Sequence, residues 1–377
     1  MTAGSNNRRG QNMHTLTKMN LTLKPTPIQR LNRISEEYGC NIFLKRDDLL
    51  GVGFGGNKLR KLEYILADAQ KKKAKVIVAS GSLQTNHGML TALSASKTGM
   101  QCVLFLLIEE SGEEQCLSGN LLLDDYIGCE IVFVDVADIM EDPELTVSEK
   151  DRRSQEALDE AVSRKMTVYM KEHQYTEKDV YYVRSAGSTP VGICGYVDCV
   201  KEIAEQSQVK FKYIFSGNGS GGTYGGTLLG TKLYMPGTIA VGVGIEEMNP
   251  SKPQFILDLL AKTTDLLGCP NPVGKEDIRI LQNSVNLGYA IPDEETMHVI
   301  ETIARYEGVF LDPVYSGKIV NGALKYIKDQ KLHQDDNVLI IHSGGTPGIF
   351  NSNMVRYRND RSQIIDRWKN DTNKKLT

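Results

Sequence analysis

Short apolar runs alternate along this chain with longer segments of helical periodicity, and this alternation constrains the fold more than any other feature. The helical patterns include residues 60–73 and 88–98. The apolar runs, each the length of one buried strand, are residues 75–80, 101–108, 130–134, 212–215, 238–245 and 337–341. Strand, loop and helix repeated in this order predict an α/β protein whose parallel sheets are covered by helices on both faces.

Length and composition narrow the class of protein. At 377 residues the chain is too long for one compact core, so we expect more than one domain. The 44 Lys and Arg against 47 Asp and Glu give a net charge of -3, which provides no basic field for nucleic acid. Without an apolar stretch of spanning length or a signal-peptide pattern, we expect a cytoplasmic protein with no membrane partner. The seven cysteines and six histidines lack metal-ligand spacing, so no metal is expected.

A glycine-rich loop, residues 51–56, runs into an amphipathic helical pattern at Asn57 and Lys58. Glycines allow the backbone to approach a bulky ligand closely, and a helix N-terminus favours an anion. A lysine at this junction is therefore placed to face a bound phosphorylated cofactor and is suited to Schiff-base chemistry. Taken alone, the motif is more typical of a solvated lysine in an ordinary loop.

Polar or glycine-rich loops also follow three of the predicted strands, where ligands bind in open parallel sheets. Residues 81–87 combine hydroxyl and amide groups with a helix start, which suits a carboxylate or a ring oxygen or else forms a plain helix cap. Residues 216–226 contain enough glycine to present a nest of backbone N–H groups to a phosphate. Ser343, after the strand 337–341, is placed to contact a heteroatom of an aromatic cofactor.

The glycine loop has a second interpretation, because Gly217, Gly219 and Gly222 satisfy the G-x-G-x-x-G pattern of nicotinamide sites and Glu246 lies where an acidic ribose ligand would follow. An NAD(P)-dependent dehydrogenase is therefore the alternative enzyme class, and a non-catalytic small-molecule binding protein is a third. The dehydrogenase interpretation assigns no role to Lys58 or to the loop 81–87. A single phosphorylated cofactor that uses all three loops is the simpler account.

Six motifs that carry these features occur in order along the chain, at residues 45–48, 55–63, 84–87, 219–223, 312–318 and 342–347. Together they resemble the pyridoxal-phosphate enzymes of the tryptophan synthase beta group, known as fold type II. The most similar branch holds D-cysteine desulfhydrase and 1-aminocyclopropane-1-carboxylate deaminase, and the resemblance runs from about residue 21 to about residue 350. It implies two open, mostly parallel twisted sheets flanked by helices, with pyridoxal 5'-phosphate as cofactor.

The resemblance also implies a division of the chain and a homodimer. A larger cofactor-binding domain would comprise residues 21–60 and 188–377, and a smaller mobile domain residues 61–187, after a flexible N-terminal tail over residues 1–20. The acidic helical stretch 138–178 would lie in the smaller domain, where its charge is most simply a solvated face.

Each site residue follows from the same resemblance. Lys58 would hold the cofactor covalently and act as the base, Asn86 would meet the phenolic oxygen of the ring, and Ser316 and Ser343 would lie at the pyridine nitrogen. The phosphate would lie on Gly219, Ser220, Gly221, Gly222 and Thr223. The catalytic residues would be Lys58, Thr85, Tyr289 and Tyr315, although the two tyrosines are as typical of aromatic walls. The substrate would be bound by Ser82, Gln84, Thr85, Asn86 and His87.

Two departures from the deaminase pattern bear on the reaction. Thr85 stands where these deaminases have a serine, and Ser316 where they have a glutamate. A carboxylate would keep the pyridine nitrogen protonated, whereas neutral hydroxyls leave it uncharged and make a weaker electron sink. We therefore expect a carbon–sulfur lyase that performs α,β-elimination, converting D-cysteine to pyruvate, ammonia and hydrogen sulfide. The alternatives within the family are L-cysteate or L-cysteine as substrate, or deamination of 1-aminocyclopropane-1-carboxylate.

Overall fold

The computed structural model describes residues 13–108, 116–136, 147–362 and 364–365, with the backbone alone over residues 147–156. The strands within these residues are β1 (Ile28–Arg30), β2 (Asn41–Lys45), β3 (Val76–Ser82), β4 (Gln101–Ile108), β5 (Glu130–Asp135), β6 (Val180–Tyr182), β7 (Tyr213–Asn218), β8 (Ile239–Gly244), β9 (Ile280–Leu281) and β10 (Asn337–Ile341).

The α-helices of the same residues follow the strands in alternation. They are α1 (Asn32–Tyr38), α2 (Asn57–Lys71), α3 (Asn86–Lys97), α4 (Gly119–Ile127), α5 (Val147–Glu172), α6 (Pro190–Gln206), α7 (Gly222–Tyr234), α8 (Lys252–Leu267), α9 (Glu294–Glu307), α10 (Ser316–Asp329) and α11 (Ser352–Asn359). Within the described part of the chain, no helix combines the length and the apolar character needed to cross a membrane.

The strands form two sheets, and the predicted α/β fold class is confirmed. In the larger sheet the order is β1-β2-β10-β7-β8-β9, with every neighbouring pair parallel except β1 and β2. The smaller sheet has the order β5-β4-β3-β6 and is parallel throughout. β10, from near the C-terminus of the chain, pairs with β2 from near its N-terminus, so both ends of the sequence build the larger sheet.

All six predicted strands are confirmed, two of them at both ends and the others with ends that shift by at most three residues; β7, for example, extends to Asn218. The sequence reading did not predict β1, β2, β6 and β9. Three of these contain only two or three residues, which is too short for a periodic signal. β2 ends in Lys45, whose fully buried amine donates to Glu202 at 2.6 Å, so its pattern does not look like that of a buried strand.

Helix α2 joins the two sheets. Its leucines Leu59, Leu62 and Leu66 recur at helical spacing and are buried in the same apolar cluster as Ile77 of β3. Burial of each leucine stabilises the fold by about 1.5–3 kcal/mol. The helix that carries Lys58 is therefore packed on the smaller sheet although its N-terminus lies beside the larger one.

The functional loops lie where the parallel strands end. In the larger sheet the carboxyl ends of β7 and β10 lead into residues 219–221 and 342–345, and in the smaller sheet β3 leads into residues 83–85. Because parallel strands place their carboxyl ends at one edge, the first two loops are neighbours, as expected for an open α/β sheet.

The structure describes only part of the predicted N-terminal tail and of the acidic stretch. Residues 1–12 lie outside the described residues, as do residues 138–146 of the acidic stretch. Within the predicted tail, the peptide N–H of His14 donates to the carbonyl of Leu267 and that of Met19 to the carbonyl of Glu63, both at 2.8 Å, and the flexibility of the tail stays a prediction. The predicted division at residues 61 and 187 stays a prediction.

Candidate active site

The turn before Lys58 brings three chain segments into close contact. Gly55 and Gly56 have φ of 68° and 122°, in the range that side chains disfavour. A Cβ on Gly55 would come within 2.1 Å of the carbonyl oxygen of Asp48, and one on Gly56 within 3.0 Å of that of Ser343. The glycines are therefore required for the approach of the Lys58 turn to the loop after β10.

Asn57, next to Lys58, connects two of the predicted cofactor loops. Its peptide N–H donates to the carbonyl oxygen of Ser343 at 3.0 Å, and its Nδ2 donates to Thr223 Oγ1 at 2.9 Å. The lysine, the glycine loop and the Ser343 loop therefore lie together although they are far apart in sequence.

The charges around Lys58 are poorly solvated. Burial lowers the pKa of Lys58 to about 8 from its ordinary 10.5. Lys61, one turn further along α2 and 1% exposed, has a pKa well below its ordinary value, first because of burial and then because of the charge on Lys58. Burial, with Lys58 as the second cause, lowers the pKa of His87 to about 3. Two amines and a neutral imidazole thus share a site that an anion would stabilise.

The glycine loop forms a cradle of the kind that a phosphate needs. Gly221, with φ of 86°, is the N-cap of α7 and has no side chain to cap it, so the positive end of the helix faces the loop with its first N–H bound by Ser188 instead. Ser188 Oγ lies 2.8 Å from Ser220 Oγ and accepts from the peptide N–H of Gly222 at 3.1 Å. Lys61 Nζ lies 3.3 Å from the same Ser188 oxygen, which places its charge at the cradle.

Lys61 and Ser188 are site residues that the sequence reading missed. Lys61 belongs to one of the six motifs, and its spacing of three residues from Lys58 puts both amines on one face of α2. That spacing was the available signal. Ser188 has no such signal, because it lies far from the glycine loop in sequence and outside every motif.

The two serines predicted at the pyridine nitrogen differ in their surroundings. Ser343 Oγ is buried and has no hydrogen-bond partner among the described residues, so it needs one that a cofactor nitrogen would supply. Ser316 Oγ instead donates to Asp312 Oδ1 at 2.6 Å and accepts from the peptide N–H of Asp312 at 2.8 Å. The Ser316 hydroxyl proton is therefore engaged within the protein. Of the two serines, only Ser343 has a hydroxyl without a partner among the described residues.

Asp312 is a buried carboxylate that the sequence reading quoted in a motif without assigning it a role. Besides the Ser316 hydroxyl, it accepts the peptide N–H groups of Val314, Tyr315 and Ser316 at 2.7–2.9 Å. Four donors fill the acceptor sites of its two oxygens. Asp312 thus shapes the turn before α10, and its oxygens are not left over for a ring nitrogen.

The loop after β3 combines a helix cap with a free amide. Thr85 caps α3 and its Oγ1 accepts from the peptide N–H of Gly88 at 3.2 Å, which leaves the hydroxyl proton to donate. Asn86 Oδ1 accepts from Asn120 Nδ2 at 2.8 Å. The Gln84 side chain is bound to the start of α4, with its Nε2 donating to the carbonyl of Ser118 at 3.1 Å.

The other residues predicted to bind substrate lie at different depths. Ser82 ends β3 and is partly exposed, and its carbonyl accepts from the peptide N–H of Thr85 at 3.0 Å. His87 is 4% exposed, with Nε2 at 3.1 Å from the carbonyl of Val183 and Nδ1 at 3.4 Å from Thr91 Oγ1. Both ring nitrogens of His87 have partners inside the protein, so its predicted contact with substrate stays a prediction.

Tyr289 and Tyr315, the two predicted catalytic tyrosines, are in direct contact with each other. Their hydroxyl groups are hydrogen-bonded to each other and their rings meet edge to face at 6.1 Å between centroids. Burial and then the neighbouring Tyr289 hold the pKa of Tyr315 well above its usual range, so this phenol keeps its proton. The loop before Tyr289 is fixed by Lys318, which donates to the carbonyls of Val285 and Gly288.

A buried ionic network behind α2 fixes the position of Lys58. Arg60, two residues further on, donates its Nε and Nη2 to the carboxylate of Asp47, both at 2.8 Å. Asp47 also accepts from the hydroxyl of Tyr196 at 2.7 Å, while its carbonyl accepts from the peptide N–H of Gly56 at 2.8 Å. Removing one partner from such a buried pair is costly, about 3–5 kcal/mol.

The residues present fit pyridoxal phosphate. Lys58 supplies an amine of lowered pKa, the N-terminus of α7 with Lys61 supplies an anion site, and Ser343 supplies an unsatisfied hydroxyl. These are the groups that an aldehyde, a phosphate and a ring nitrogen require.

Comparison with known proteins gives the same assignment. The family model described as "Pyridoxal-phosphate dependent enzyme" matches residues 19–344. A D-cysteine desulfhydrase of Yersinia enterocolitica is 34% identical over 88% of this chain and 95% of its own. A crystal structure of an ACC deaminase homologue has a TM-score of 0.73, with 32% identity over 89% of this chain and 94% of its own. Threonine deaminase from Solanum lycopersicum shares the fold, with a TM-score of 0.57 and 16% identity over 86% of this chain and 84% of its own. The chain therefore belongs to the pyridoxal-phosphate-dependent enzymes of fold type II, and pyridoxal phosphate is its cofactor.

Proposed function

We propose that this enzyme is a carbon–sulfur lyase that converts D-cysteine to pyruvate, ammonia and hydrogen sulfide by α,β-elimination. The observation that carries the proposal is the state of Ser316 and Ser343. The first hydroxyl is bound to Asp312, whose oxygens are filled, and the second is neutral and unpaired among the described residues. A neutral partner for the ring nitrogen suits elimination, in which the substrate brings its own leaving group. The similarity to D-cysteine desulfhydrase supports this choice of substrate.

Lys58 carries the proton chemistry in this proposal. When bound, pyridoxal phosphate supplies an electron sink for the charge left at the substrate Cα. Nζ of Lys58 takes the Cα proton, since a pKa of about 8 keeps a useful fraction of the amine neutral at working pH. The network of Arg60 and Asp47 holds the first turn of α2 so that this amine does not swing away.

The substrate carboxylate would be held at the start of α3. Thr85 donates its hydroxyl proton, which its role as a helix cap leaves available, and the first N–H groups of the helix are oriented in the same direction. Ser82 lies at the entrance of this loop. The sulfur would leave on the side of the Tyr289 and Tyr315 pair, whose rings would shape the wall of the pocket there.

Product release over a panel of substrates tests the proposal. Pyruvate and sulfide are measured with both enantiomers of cysteine, L-cysteate, chloroalanine and 1-aminocyclopropane-1-carboxylate. We expect D-cysteine to give the highest kcat/KM, with pyruvate and sulfide in equal amounts. Release of 2-oxobutanoate from the cyclopropane substrate as the main activity would support deamination instead, and preference for L-cysteine or L-cysteate would move the substrate within the same chemistry.

Two variants connect the activity to the site. Lys58→Ala is expected to lower turnover by at least about 10²–10⁴-fold, the usual contribution of a positioned base. Lys72→Ala, at the exposed residue that follows the last turn of the same helix, is its control and is expected to leave turnover unchanged. Unaltered activity in Lys58→Ala would overturn the mechanism.

A homodimer and a cytoplasmic location belong to the same proposal. The resemblance to the family supports the homodimer, and the cytoplasmic location stays a prediction from the sequence. Light scattering of the purified enzyme would show the mass of two chains, or of one if the dimer is wrong.

A further inference from the structure

Asn120, the second residue of α4, is fully buried and binds both Gln84 and Asn86. Its Nδ2 donates to the carbonyl oxygen of Gln84 and to Asn86 Oδ1, both at 2.8 Å. Its peptide N–H donates to Gln84 Oε1 at 2.9 Å. The start of α4 is thus hydrogen-bonded to the loop that carries Asn86, the predicted ligand of the cofactor's phenolic oxygen.

Backbone groups fix the donor and the acceptor in each of these hydrogen bonds, because a peptide N–H can only donate and a carbonyl can only accept. A carbonyl only accepts, so the carbonyl of Gln84 requires the NH2 end of the Asn120 side chain. That NH2 group then requires the oxygen of Asn86. Gln84 is oriented in the same way, because its Oε1 faces a peptide N–H and its Nε2 faces the carbonyl of Ser118. The chain of bonds leaves no choice of amide orientation.

The consequence is a donor that points away from Asn120. With Oδ1 of Asn86 engaged, its Nδ2 lies on the opposite side, and no hydrogen bond occupies it among the described residues. Asn86 begins α3, and a Cβ on Gly56, in the turn before Lys58, would lie 3.5 Å from Leu90 of the same helix, so the free donor belongs to the Lys58 region.

We propose that Asn120 is a positioning residue that aims Asn86 Nδ2 at the phenolic oxygen of the cofactor. The inference rests on the proposed function, since it needs the cofactor at Lys58. A hydrogen-bond donor at the phenolic oxygen stabilises the negative charge of that oxygen. The oxygen then has a lower affinity for the proton that it shares with the nitrogen joining Lys58 to the cofactor. Loss of the donor therefore raises the pH at which the visible absorbance of the bound cofactor changes.

Variants of Asn120 test this on the absorbance of the bound cofactor. In Asn120→Asp the new carboxylate accepts where the amide donated, so Asn86 turns its NH2 group inward and its oxygen toward the cofactor. We expect the absorbance midpoint to rise by about one pH unit and the cofactor to bind about tenfold more weakly, as for one lost hydrogen bond. Asn120→Ala, which buries no charge, is expected to give a smaller shift in the same direction.

Two controls separate positioning from loss of stability. Leu121→Ala removes packing from the same turn of α4 without touching the amides, and is expected to leave the midpoint unchanged. Asn86→Ala is expected to raise the midpoint by itself, and in that background Asn120→Asp should add nothing, since the two residues act through one bond.

Three outcomes are decisive. A raised midpoint in Asn120→Asp and Asn120→Ala, with none in Leu121→Ala, supports the positioning role. An unchanged midpoint in Asn120→Ala overturns it, whether or not Asn120→Asp folds. If the unaltered protein shows no visible absorbance with pyridoxal phosphate, the proposed function fails, and the inference fails with it.

Discussion

Asn57 Nδ2 donates to Thr223 Oγ1 at 2.9 Å and thereby joins the residue before Lys58 to the phosphate cradle. The two residues come from the two separate chain segments that make up the predicted larger domain, residues 21–60 and 188–377. Their contact means that the position of the lysine amine and the position of the phosphate loop are set together. It also explains why a glycine loop and a lysine motif that are far apart in sequence act on one cofactor.

The contact predicts coupled effects of substitution on cofactor affinity. Asn57→Ala and Thr223→Val are each expected to weaken binding of pyridoxal phosphate about tenfold, and the double variant is expected to lose less than the product of the two. Titration of the four proteins with cofactor, followed by absorbance, gives the coupling energy. Fully additive losses would show that the hydrogen bond does not link the two sites.

Lys61 predicts an anion dependence of the enzyme without cofactor. Because Lys61 and Lys58 repel each other beside a helix N-terminus, inorganic phosphate is expected to raise the melting temperature of the apoenzyme more than chloride at equal ionic strength. Lys61→Met should raise the dissociation constant for phosphate about tenfold, because the binding loses one charged donor. Lys72→Met, which changes the exposed lysine just after the same helix, is the matched control and should bind phosphate as the unaltered protein does. Equal phosphate binding in all three proteins would contradict the cradle.

The lowered pKa of Lys58 predicts how the apoenzyme recovers its cofactor. Only the neutral amine attacks the aldehyde, so the rate of reconstitution should rise with pH up to about 8 and then level off. A solvated lysine would keep gaining reactivity up to its ordinary pKa of about 10.4. Stopped-flow absorbance over pH 6 to 10 measures this profile, and a rate that still climbs above pH 9 would show that Lys58 is not desolvated.

Asp124 predicts a stability effect that depends on pH. It is fully buried on α4, neither carboxylate oxygen has a partner among the described residues, and burial raises its pKa to about 7 from 3.8. The folded state therefore binds more protons between pH 3.8 and 7, and stability falls as pH rises through that window. Asp124→Asn removes this loss, with a gain of about 2–4 kcal/mol that is present at pH 8 and absent at pH 4.

Denaturant unfolding at the two pH values measures the effect. Asp125→Asn, the exposed neighbour on the same helix, is the control and should show no pH-dependent gain. The same gain at pH 4 and pH 8 in Asp124→Asn would mean that the carboxylate is not protonated in the folded protein.

The sequence predicted the long strands and the loops that follow them because these signals are local. A run such as residues 101–108 is apolar over the full length of β4, and the glycines before Lys58 follow from the close approach that they allow. β6 and β9 escaped prediction because strands this short owe their state to the neighbouring strand with which they pair.

The predicted site was incomplete where residues act through distant partners. Asn120 lies 34 residues from Asn86 and in no motif, and its role comes from a hydrogen bond that only the fold creates. Ser316 and Ser343 looked equivalent as hydroxyls within two of the motifs, yet Asp312 accepts the proton of the first, while the second has no partner among the described residues. Such differences depend on which hydrogen-bond partner the fold brings next to each hydroxyl, and local sequence patterns do not contain that information.

The most direct test of the central claim is to reduce the enzyme with borohydride in the presence of pyridoxal phosphate and to identify the labelled peptide by mass spectrometry. We expect one pyridoxyl group per chain, on Lys58, with Lys61 unlabelled three residues away and no label in Lys58→Ala. A label on Lys61, or no covalent label in the unaltered enzyme, would contradict it.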